Sequence, residues 1–283
     1  MASLREIKDR IGSVKSTLKI TSAMKLVASS KLRKAQKAIE NLRPYEEELS
    51  VILRELTGRN ARDAQMQTEL QVPAGDKVAI VAIASNSSLC GGFNSNVIKK
   101  TLEVAAELEE KGRKVTVYSL GRKVAEALRK AGYPSDDFSQ FVSRPSYSEA
   151  VKIAGRIEDD NKEVILIYNH FVTTAKQVVV IEPWLTDEKP GQVSAETAAC
   201  EEYIVEPGKD EVLAELAPRV TMLKFYAAVL DSAAAEHAAR TIAMQTASDN
   251  AQDLLADLTL EYNKGRQQKI TAEILDLIGG ISE

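Results

Sequence analysis

Residues 213–262 read LAELAPRVTMLKFYAAVLDSAAAEHAARTIAMQTASDNAQDLLADLTLEY, and mostly small or apolar side chains recur along them at alternating steps of three and four residues. The fifteen positions of this seam are 213, 216, 220, 223, 227, 230, 234, 237, 241, 244, 248, 251, 255, 258 and 262. Such spacing places one stripe along a helix and is typical of a coiled coil. The apolar pattern continues beyond Gly265, and Gly279 and Gly280 predict its end. We therefore predict a long C-terminal helix, with a kink at Pro218.

A second long helix is predicted at the N-terminus, over residues 4–57. Ser3 and Glu6 have the spacing of a capping box, in which the hydroxyl accepts from a first-turn amide and the carboxylate accepts from the cap amide. Apolar residues then recur at three- and four-residue steps over 4–18 and, after a phase shift, over 32–56. The N-terminal helix therefore also carries a stripe that can face another helix.

The lengths of the two helices limit how they can be arranged. At 1.5 Å per residue they would be ~80 Å and ~100 Å long, whereas a compact chain of this size has a radius of gyration of roughly 19 Å. We therefore predict that they pair as an intramolecular antiparallel coiled coil. The C-terminal helix is the longer one, so its tip is predicted to project alone.

The middle of the chain has the pattern of an α/β domain. Residues 77–84 and 163–168 are nearly continuous apolar runs of the buried-strand type. Predicted helices over 94–111, 121–131 and 147–159 alternate with predicted strands over 113–118, 137–142, 177–181 and 202–205. This order predicts the α/β fold class, with a mostly parallel sheet. The domains are expected to be an N-terminal coiled-coil helix over 1–57, an α/β domain over 58–208 and a C-terminal coiled-coil helix over 209–283.

Composition argues against an enzyme. The 283 residues include two histidines and two cysteines, each pair far apart in the sequence, which removes most candidates for general-base chemistry, a disulfide framework or a zinc site. No apolar run approaches the roughly 20 residues that a membrane span needs, so any membrane contact is expected to be peripheral. The sequence therefore predicts no catalytic residue, no metal and no cofactor.

One loop has the position, but not the spacing, of a phosphate-binding site. Residues 85–94, SNSSLCGGFN, follow a predicted strand and open a helix, where helix amides can bind a phosphate. The glycines match neither the dinucleotide fingerprint nor the P-loop, so we interpret the loop as a structural turn. An alternative is a small α/β enzyme in which Cys90 acts as a nucleophile with His170, although a buried, unreactive thiol is favoured. His237 lies on the seam and is interpreted as an interface residue.

Positive charge is concentrated at the N-terminus. Residues 1–43 contain 11 lysine and arginine residues against 3 acidic ones, which gives them a net charge of +8. Because the formal net charge of the whole chain is −4, the other 240 residues have a net charge of −12. The basic face of residues 5–37 can bind acidic protein loops, an anionic membrane or nucleic acid, and charge alone leaves these partners open. Tyr45 is the only aromatic residue among the first 57, which weakens the case for stacking on single-stranded nucleic acid and for membrane insertion.

Several motifs together resemble the γ subunit of F-type ATP synthases. They are residues 20–28 (ITSAMKLVA) with 30–33 (SKLR), 89–94 (LCGGFN), 236–240 (EHAAR), 249–251 (DNA), 262–266 (YNKGR), Arg43-Pro44-Tyr45, 273–275 (EIL) and 279–280 (GG). The motifs lie at both ends and in the middle, so the resemblance covers nearly the whole chain.

The resemblance implies a central rotor shaft that carries no catalytic group. In that family an antiparallel coiled coil inserts into a ring of three α and three β subunits, and a Rossmann-like α/β domain sits with ε on the ring of c subunits. Ion flow turns the c ring and the shaft, which drives the β subunits through the conformations of ATP synthesis or hydrolysis. The implied partners are therefore the α, β and ε subunits and the c ring, with no nucleic acid and no second copy of this chain.

The resemblance also implies a location and individual contact residues. The expected location is peripheral, at the cytoplasmic face of a bacterial plasma (inner) membrane, because the chain begins at the mature motif without a transit peptide. Tyr203 and Glu206 resemble the foot that meets the c ring. The implied contacts with the α/β ring, of which the last three belong to the helix tip, are Met24, Lys25, Arg266, Gln267, Thr271, Ile274, Leu277 and Ile278.

Three positions depart from the family's pattern. Residues 86–88 (NSS) replace a frequent Asp-Arg-Gly, and Val205 replaces a common aromatic residue at the foot. Gly265 replaces the usual alanine before Arg266. Because glycine within a helix costs about 1 kcal/mol relative to alanine, the shaft is expected to be softer at Gly265.

Overall fold

The computed structural model describes residues 3–57, 77–185 and 205–279. The helices in these ranges are α1 (Leu4–Thr57), α2 (Phe93–Glu110), α3 (Arg122–Lys130), α4 (Ser139–Ser143), α5 (Tyr147–Asp160) and α6 (Lys209–Gly279). The strands are β1 (Lys77–Ile83), β2 (Lys114–Leu120), β3 (Ser135–Asp137), β4 (Val164–Phe171) and β5 (Gln177–Leu185). Long terminal helices with an α/β arrangement between them confirm the predicted fold class.

Both predicted terminal helices are present, whereas the kink at Pro218 stays a prediction. The Glu6 N–H donates to Ser3 Oγ at 3.2 Å, and the Ser3 N–H donates to Glu6 Oε2 at 2.9 Å, which completes the capping box. Helix α1 continues through Pro44 and α6 continues through Pro218. None of the fifteen seam positions of α6 is exposed. The stripe read from the sequence is therefore the side of α6 that packs against the rest of the protein.

The five described strands form one sheet in the order β3-β2-β1-β4-β5. Strands β1 to β4 pair in parallel, whereas β5 pairs antiparallel with β4. The parallel pairs are joined through helices, as expected for a βαβ arrangement. The prediction of a mostly parallel sheet is confirmed, and the antiparallel strand lies at the edge.

The sheet has a hydrophobic core on each face, because side chains alternate along a strand. One core lies against α2 and α3, and the other lies against α5 and α6. Helix α6 contributes Phe225, Ala228 and Val229 to the second core. Trp184 of β5 packs on Phe225, and its Nε1–H donates to the carbonyl of Thr221 at 2.8 Å. A segment of the C-terminal helix is thus part of the sheet's own core.

The predicted strand over 137–142 is wrong. Strand β3 ends at Asp137, and the next residues form the short helix α4. Phe138, Phe141 and Val142 all pack against the core, and their steps of three and four residues are those of a helix. In the predicted strand over 202–205, only Val205 is among the described residues, and it lies outside any strand.

The carboxyl ends of β1 and β2 approach each other at Gly121. Its φ of +124° disfavours a side chain, and a Cβ there would lie 2.1 Å from the carbonyl oxygen of Ala84. The loop after β1 is held by Asn86, whose amide donates to α4 and whose Oδ1 accepts from the Arg122 N–H at 2.9 Å. Asn86, one of the departures from the family pattern, therefore has an internal structural role.

The chain forms two compact units, one of residues 1–29 with 240–283 and one of residues 30–239. In the first unit, Ser248 Oγ donates to Thr21 Oγ1 at 2.8 Å. Nearer the end of α6, Leu4 packs against Gly265. Later residues of α6 thus meet earlier residues of α1, so the helices of this unit are antiparallel.

The second unit contains the sheet together with the adjoining parts of both terminal helices. Leu32 of α1 packs with Ala234 and Ala238 of α6, and Phe171 at the end of β4 packs against the same cluster. The division of the chain into three domains at residues 57 and 208 stays a prediction.

Candidate partner-binding surface

The helix pair of the first unit has a narrow interior. Small residues in the middle of a seam allow two helix axes to approach closely. The Thr21–Ser248 hydrogen bond satisfies two hydroxyl groups inside this seam. The buried side chains of the pair are Ile7, Thr21, Ala28, Arg240, Met244, Ser248, Ala251 and Leu258.

The outside of the same unit carries more large apolar side chains than its interior. Leu26 is 69% exposed and Leu260 is 72% exposed. Apolar surface that the chain itself leaves uncovered is a mark of protein-interaction sites. The exposed large apolar residues of this unit, among those described, are Ile20, Leu26, Val27, Ile242, Leu254, Leu260, Ile270, Ile274 and Leu275. This set of exposed side chains, which we call the apolar helix surface, offers apolar contact area to other proteins.

The predicted ring-contact residues lie at two separate levels of the helix pair. The helix register places half-buried Met24 and Lys25 about one turn from Ser248. Arg266 lies near the beginning of α1, because the preceding residue contacts Leu4. At 1.5 Å per residue, the two levels are roughly 30 Å apart. The structure therefore does not bring Met24 and Lys25 together with Arg266.

The second level is the end of α6. Every described side chain from Arg266 to Leu275 is exposed, including the predicted contact residues Gln267, Thr271 and Ile274. Thr271 Oγ1 donates to the carbonyl of Gln267 at 2.9 Å, a bond within the helix that leaves the outer face of this turn open to a partner. The exposure agrees with the predicted projecting tip. The other two tip residues, Leu277 and Ile278, belong to α6, but their side chains lie outside the described part of the chain.

The predicted foot is described only in part. Tyr203 lies outside the described residues, whereas Glu206 is exposed just before α6. Glu206, Glu211 and Glu215 line one open cleft of about 490 Å³ with a single arginine, Arg219. The described part of the foot is therefore an acidic surface.

The loop over 85–94 is a turn folded onto itself. Asn94 Oδ1 accepts from both the Ser85 N–H and the Ser85 hydroxyl at 3.0 Å, and Asn94 Nδ2 donates to Cys90 Sγ at 3.2 Å. Cys90 is 1% exposed and packs with Phe93 and Ala235. The interpretation as a structural turn with a buried thiol is confirmed. A nucleophilic role for Cys90 would need an access path that this packing closes.

Two features of the second unit were not predicted from the sequence. Leu89, at the tip of the same loop, is 59% exposed and has a φ of +67°, so the turn holds its side chain outward. His170 and Asp231, 61 residues apart, contact each other through Nδ1 and Oδ2. Neither the direction of a turn nor a contact at that separation leaves a periodic signal in the sequence.

Chemically, the described residues offer surfaces for binding proteins. No group of three or more His, Cys, Asp and Glu side chains among them is placed to hold a metal ion. The helices within the described ranges include none with a stretch long and apolar enough to span a bilayer.

Gly265 allows the packing of the helix pair to be tested. An alanine Cβ would lie 3.1 Å from Leu4 Cδ2, and Leu4 can relieve this contact because it is only half-buried in the first turn of α1. We expect Gly265→Ala to raise the free energy of unfolding by about 0.5–1 kcal/mol, the preference of a helix for alanine over glycine. Urea unfolding followed by far-UV circular dichroism measures this change.

A matched control for this variant is Gly12→Ala. Gly12 also lies inside a helix, but no atom lies within 4 Å of the Cβ position. The control therefore reports the helix preference alone. If Gly265→Ala lowers the stability while Gly12→Ala raises it, the contact with Leu4 is rigid and our expectation is wrong.

Comparisons with known proteins give a consistent result. The model of the family described as ATP synthase matches residues 3–282. The ATP synthase gamma chain of Phocaeicola vulgatus is 48% identical, and that of Bacteroides thetaiotaomicron is 45% identical, each over 99% of both chains. A chain in the cryo-EM structure of the Euglena gracilis mitochondrial ATP synthase, OSCP/F1/c-ring, has the same fold, with a TM-score of 0.69, 19% identity and coverage of 99% of this chain and 93% of that one.

Proposed function

The chain belongs to the family of ATP synthase gamma chains, and from this premise we propose that it is the central-stalk rotor subunit of an F-type ATP synthase. In this role it couples ion-driven rotation of the c ring to conformational changes of the catalytic β subunits, for ATP synthesis or hydrolysis. The nucleotide chemistry takes place on the β subunits. This chain supplies no catalytic residue and binds no cofactor.

The observation that carries the proposal is the apolar helix surface. Its exposed leucine, isoleucine and valine side chains outnumber the large apolar side chains buried between the two helices. Burying such a side chain is worth about 1.5–3 kcal/mol, so a ring of partner subunits around the helix pair would gain binding energy from residues that the chain leaves in water. A shaft enclosed by α and β subunits explains this distribution.

The mechanism depends on contacts that differ between partner conformations. A ligand or partner shifts a conformational equilibrium only by its difference in affinity for the two states. The antiparallel pair presents different side chains on different sides, so each β subunit meets a different surface as the shaft turns. Met24 and Lys25 form one level of contact, and Arg266, Gln267 and Thr271 form a second. Two levels roughly 30 Å apart would hold the shaft in the ring at two heights.

Charge supports the same partners. Lys25 and Arg266 are cationic, and the first helix carries most of the positive charge of the N-terminal region. Basic groups on the shaft would attract acidic loops of the β subunits. The tip residues Ile274, Leu277 and Ile278 would turn in an apolar bearing made by the α and β subunits.

The foot and the location complete the proposal. Tyr203 and the exposed Glu206 would contact the c ring together with ε, and the acidic cleft beside Glu206 would face polar loops of that ring. The chain would then be a peripheral protein at the cytoplasmic face of a bacterial plasma (inner) membrane. We also propose the division into helix 1–57, Rossmann-like domain 58–208 and helix 209–283.

The proposal is tested by assembly. The purified chain is mixed with α and β subunits of the same source, the product is weighed by native mass spectrometry, and its MgATP hydrolysis is compared with that of each component. We expect a complex of three α, three β and one copy of this chain, with hydrolysis that the separate components lack. Absence of a complex between folded components would contradict the proposal, and salt-sensitive binding to DNA would then favour nucleic acid as the partner of the basic face of residues 5–37.

A further inference from the structure

The end of β4 is attached to several elements of the second unit. The Tyr168 hydroxyl donates to Glu182 Oε2 of β5 at 2.9 Å. Asn169 is 1% exposed, and its Nδ2 donates to the carbonyl of Phe93 at the start of α2 at 3.0 Å. His170 and Phe171 are attached to α6. Four consecutive residues thus connect β4 to three elements, β5, α2 and α6.

Asp231 makes both polar contacts from α6 to this strand end. Its Oδ1 accepts from the Phe171 N–H at 3.0 Å, and its Oδ2 contacts His170 Nδ1. The Asp231 side chain is 14% exposed and the His170 side chain is 34% exposed, so the carboxylate is the more shielded partner of the pair. Hydrogen bonds to a charged group in such a position are stronger than neutral ones. One carboxylate therefore holds a backbone amide and a side chain of β4 at the same time.

Charged groups from all neighbouring elements surround this contact. A cleft of about 150 Å³ beside it is lined by Arg43 and Glu46 of α1, Tyr168 and Glu182 of the sheet, and Lys224 of α6. Burial and the Glu182 carboxylate raise the pKa of Tyr168, which keeps the hydroxyl protonated as a donor. The ionic part of the His170–Asp231 contact exists only while the imidazole is protonated.

We propose that Asp231 is a positioning residue that fixes the end of β4 to the segment of α6 beside it, so that the sheet and this segment move together. This inference rests on the proposed function, because torque from the c ring has to pass through α6. Phe171 provides the apolar part of the same joint, since its ring packs with Ala234 and Ala235 of α6. Asp231 adds directional contacts that resist sliding, which apolar contacts alone do not.

The first measurement is local. In the full-length chain, Asp231→Ala is expected to increase hydrogen exchange of the Phe171 amide about tenfold or more, because the amide loses a charged acceptor. Asp231→Asn retains an acceptor for this amide and is expected to change its exchange much less. Trp184 fluorescence verifies that each variant is folded.

The second measurement tests torque transfer in the complete membrane-bound complex. ATP-driven ion pumping, assayed for protons and for sodium ions, and ATP hydrolysis are measured in the same vesicles, and their ratio reports coupling. We expect Asp231→Ala to lower this ratio about twofold or more while hydrolysis continues. Asp136→Ala is the matched control, since it removes another ion-paired aspartate of the same unit, one that is exposed and contacts Arg156 at 3.0 Å.

Rescue by a conservative variant separates positioning from a merely structural role. Asp231→Asn keeps an acceptor for the Phe171 amide, so its coupling is expected to lie between that of Asp231→Ala and that of the wild type. His170→Gln replaces the imidazole that contacts Asp231 Oδ2, and it is expected to lower coupling while the Phe171 amide stays protected.

The outcomes are distinguishable. A wild-type complex that hydrolyses ATP while pumping neither protons nor sodium ions would overturn the proposed function and, with it, this role of Asp231. The Asp231 proposal alone would be overturned by a different result. In that case the wild-type complex pumps ions, and the Asp231→Ala complex shows fast exchange of the Phe171 amide but couples hydrolysis to pumping as well as the wild type does. If Asp231→Ala fails to fold, equal coupling of Asp231→Asn, His170→Gln and the wild type would overturn it.

Discussion

Replacing Gly121 by alanine is expected to lower the free energy of unfolding of the sheet-bearing unit by about 3 kcal/mol or more. A side chain at a φ of +124° is strained by about 1–3 kcal/mol. Its Cβ would also lie 2.1 Å from the carbonyl oxygen and 2.7 Å from the carbonyl carbon of Ala84. Both atoms belong to the backbone, so the end of β1 or the start of α3 would have to move.

The measurement is urea unfolding followed by fluorescence of Trp184, the single tryptophan of the chain, which is buried in the core of this unit. Gly112→Ala is the matched control, because Gly112 has a φ of +78° but no atom within 4 Å of its Cβ position. The control measures the conformational strain without the collision. Equal losses in the two variants would show that the approach of Gly121 to Ala84 is easily relieved.

Deleting residues 270–283 is expected to weaken binding to the α/β ring by about 100-fold or more while leaving the sheet folded. The deletion removes three exposed apolar residues, Ile270, Ile274 and Leu275. Each would contribute about 1.5–3 kcal/mol if it were buried by the partners, and every 1.4 kcal/mol is a factor of ten in affinity. Titration of the truncated chain into α and β subunits, followed by native mass spectrometry and MgATP hydrolysis, measures the loss.

A full-length variant with glutamine at positions 270, 274 and 275 separates apolar contact from helix length. Glutamine is a good helix former, so this variant keeps the helix while removing its apolar surface. We expect it to bind more weakly than the wild type but less weakly than the truncated chain, which also lacks Leu277 and Ile278. Binding as tight as that of the wild type would mean that the side chains at positions 270, 274 and 275 are not buried by partners. If Trp184 fluorescence shows that the truncated chain has lost the core of the sheet, the described architecture is contradicted.

The elements of the fold were largely predictable because their signals are local. The capping pair Ser3 and Glu6 and the fifteen seam positions of α6 needed only the period of a helix. The short segment after β3 was predicted wrongly as a strand. Phe138, Phe141 and Val142 are residue types that favour a strand, but their spacing is that of a helix. For short apolar runs, periodicity leaves both structures possible.

The contact residues stay a prediction, whereas their arrangement is given by the structure. The family resemblance predicts Met24 and Arg266 as contact residues, and the described side chains at the end of α6 are exposed. The register of the helix pair, fixed by the Thr21–Ser248 bond, places the two residues at different heights. Register depends on which turns of two distant helices meet, and no single segment of sequence contains that information.

By itself the sequence determined the two terminal helices, the buried strands, the concentration of positive charge in residues 1–43 and the resemblance to the γ-subunit family. These are properties of neighbouring residues, and propensity, spacing and charge express them directly. Only the tertiary structure decided that Phe225 of α6 completes the core of the sheet, that β5 runs antiparallel at its edge, and that Asp231 meets His170. These contacts join residues far apart in the chain, and their free energy exists only once the elements have docked.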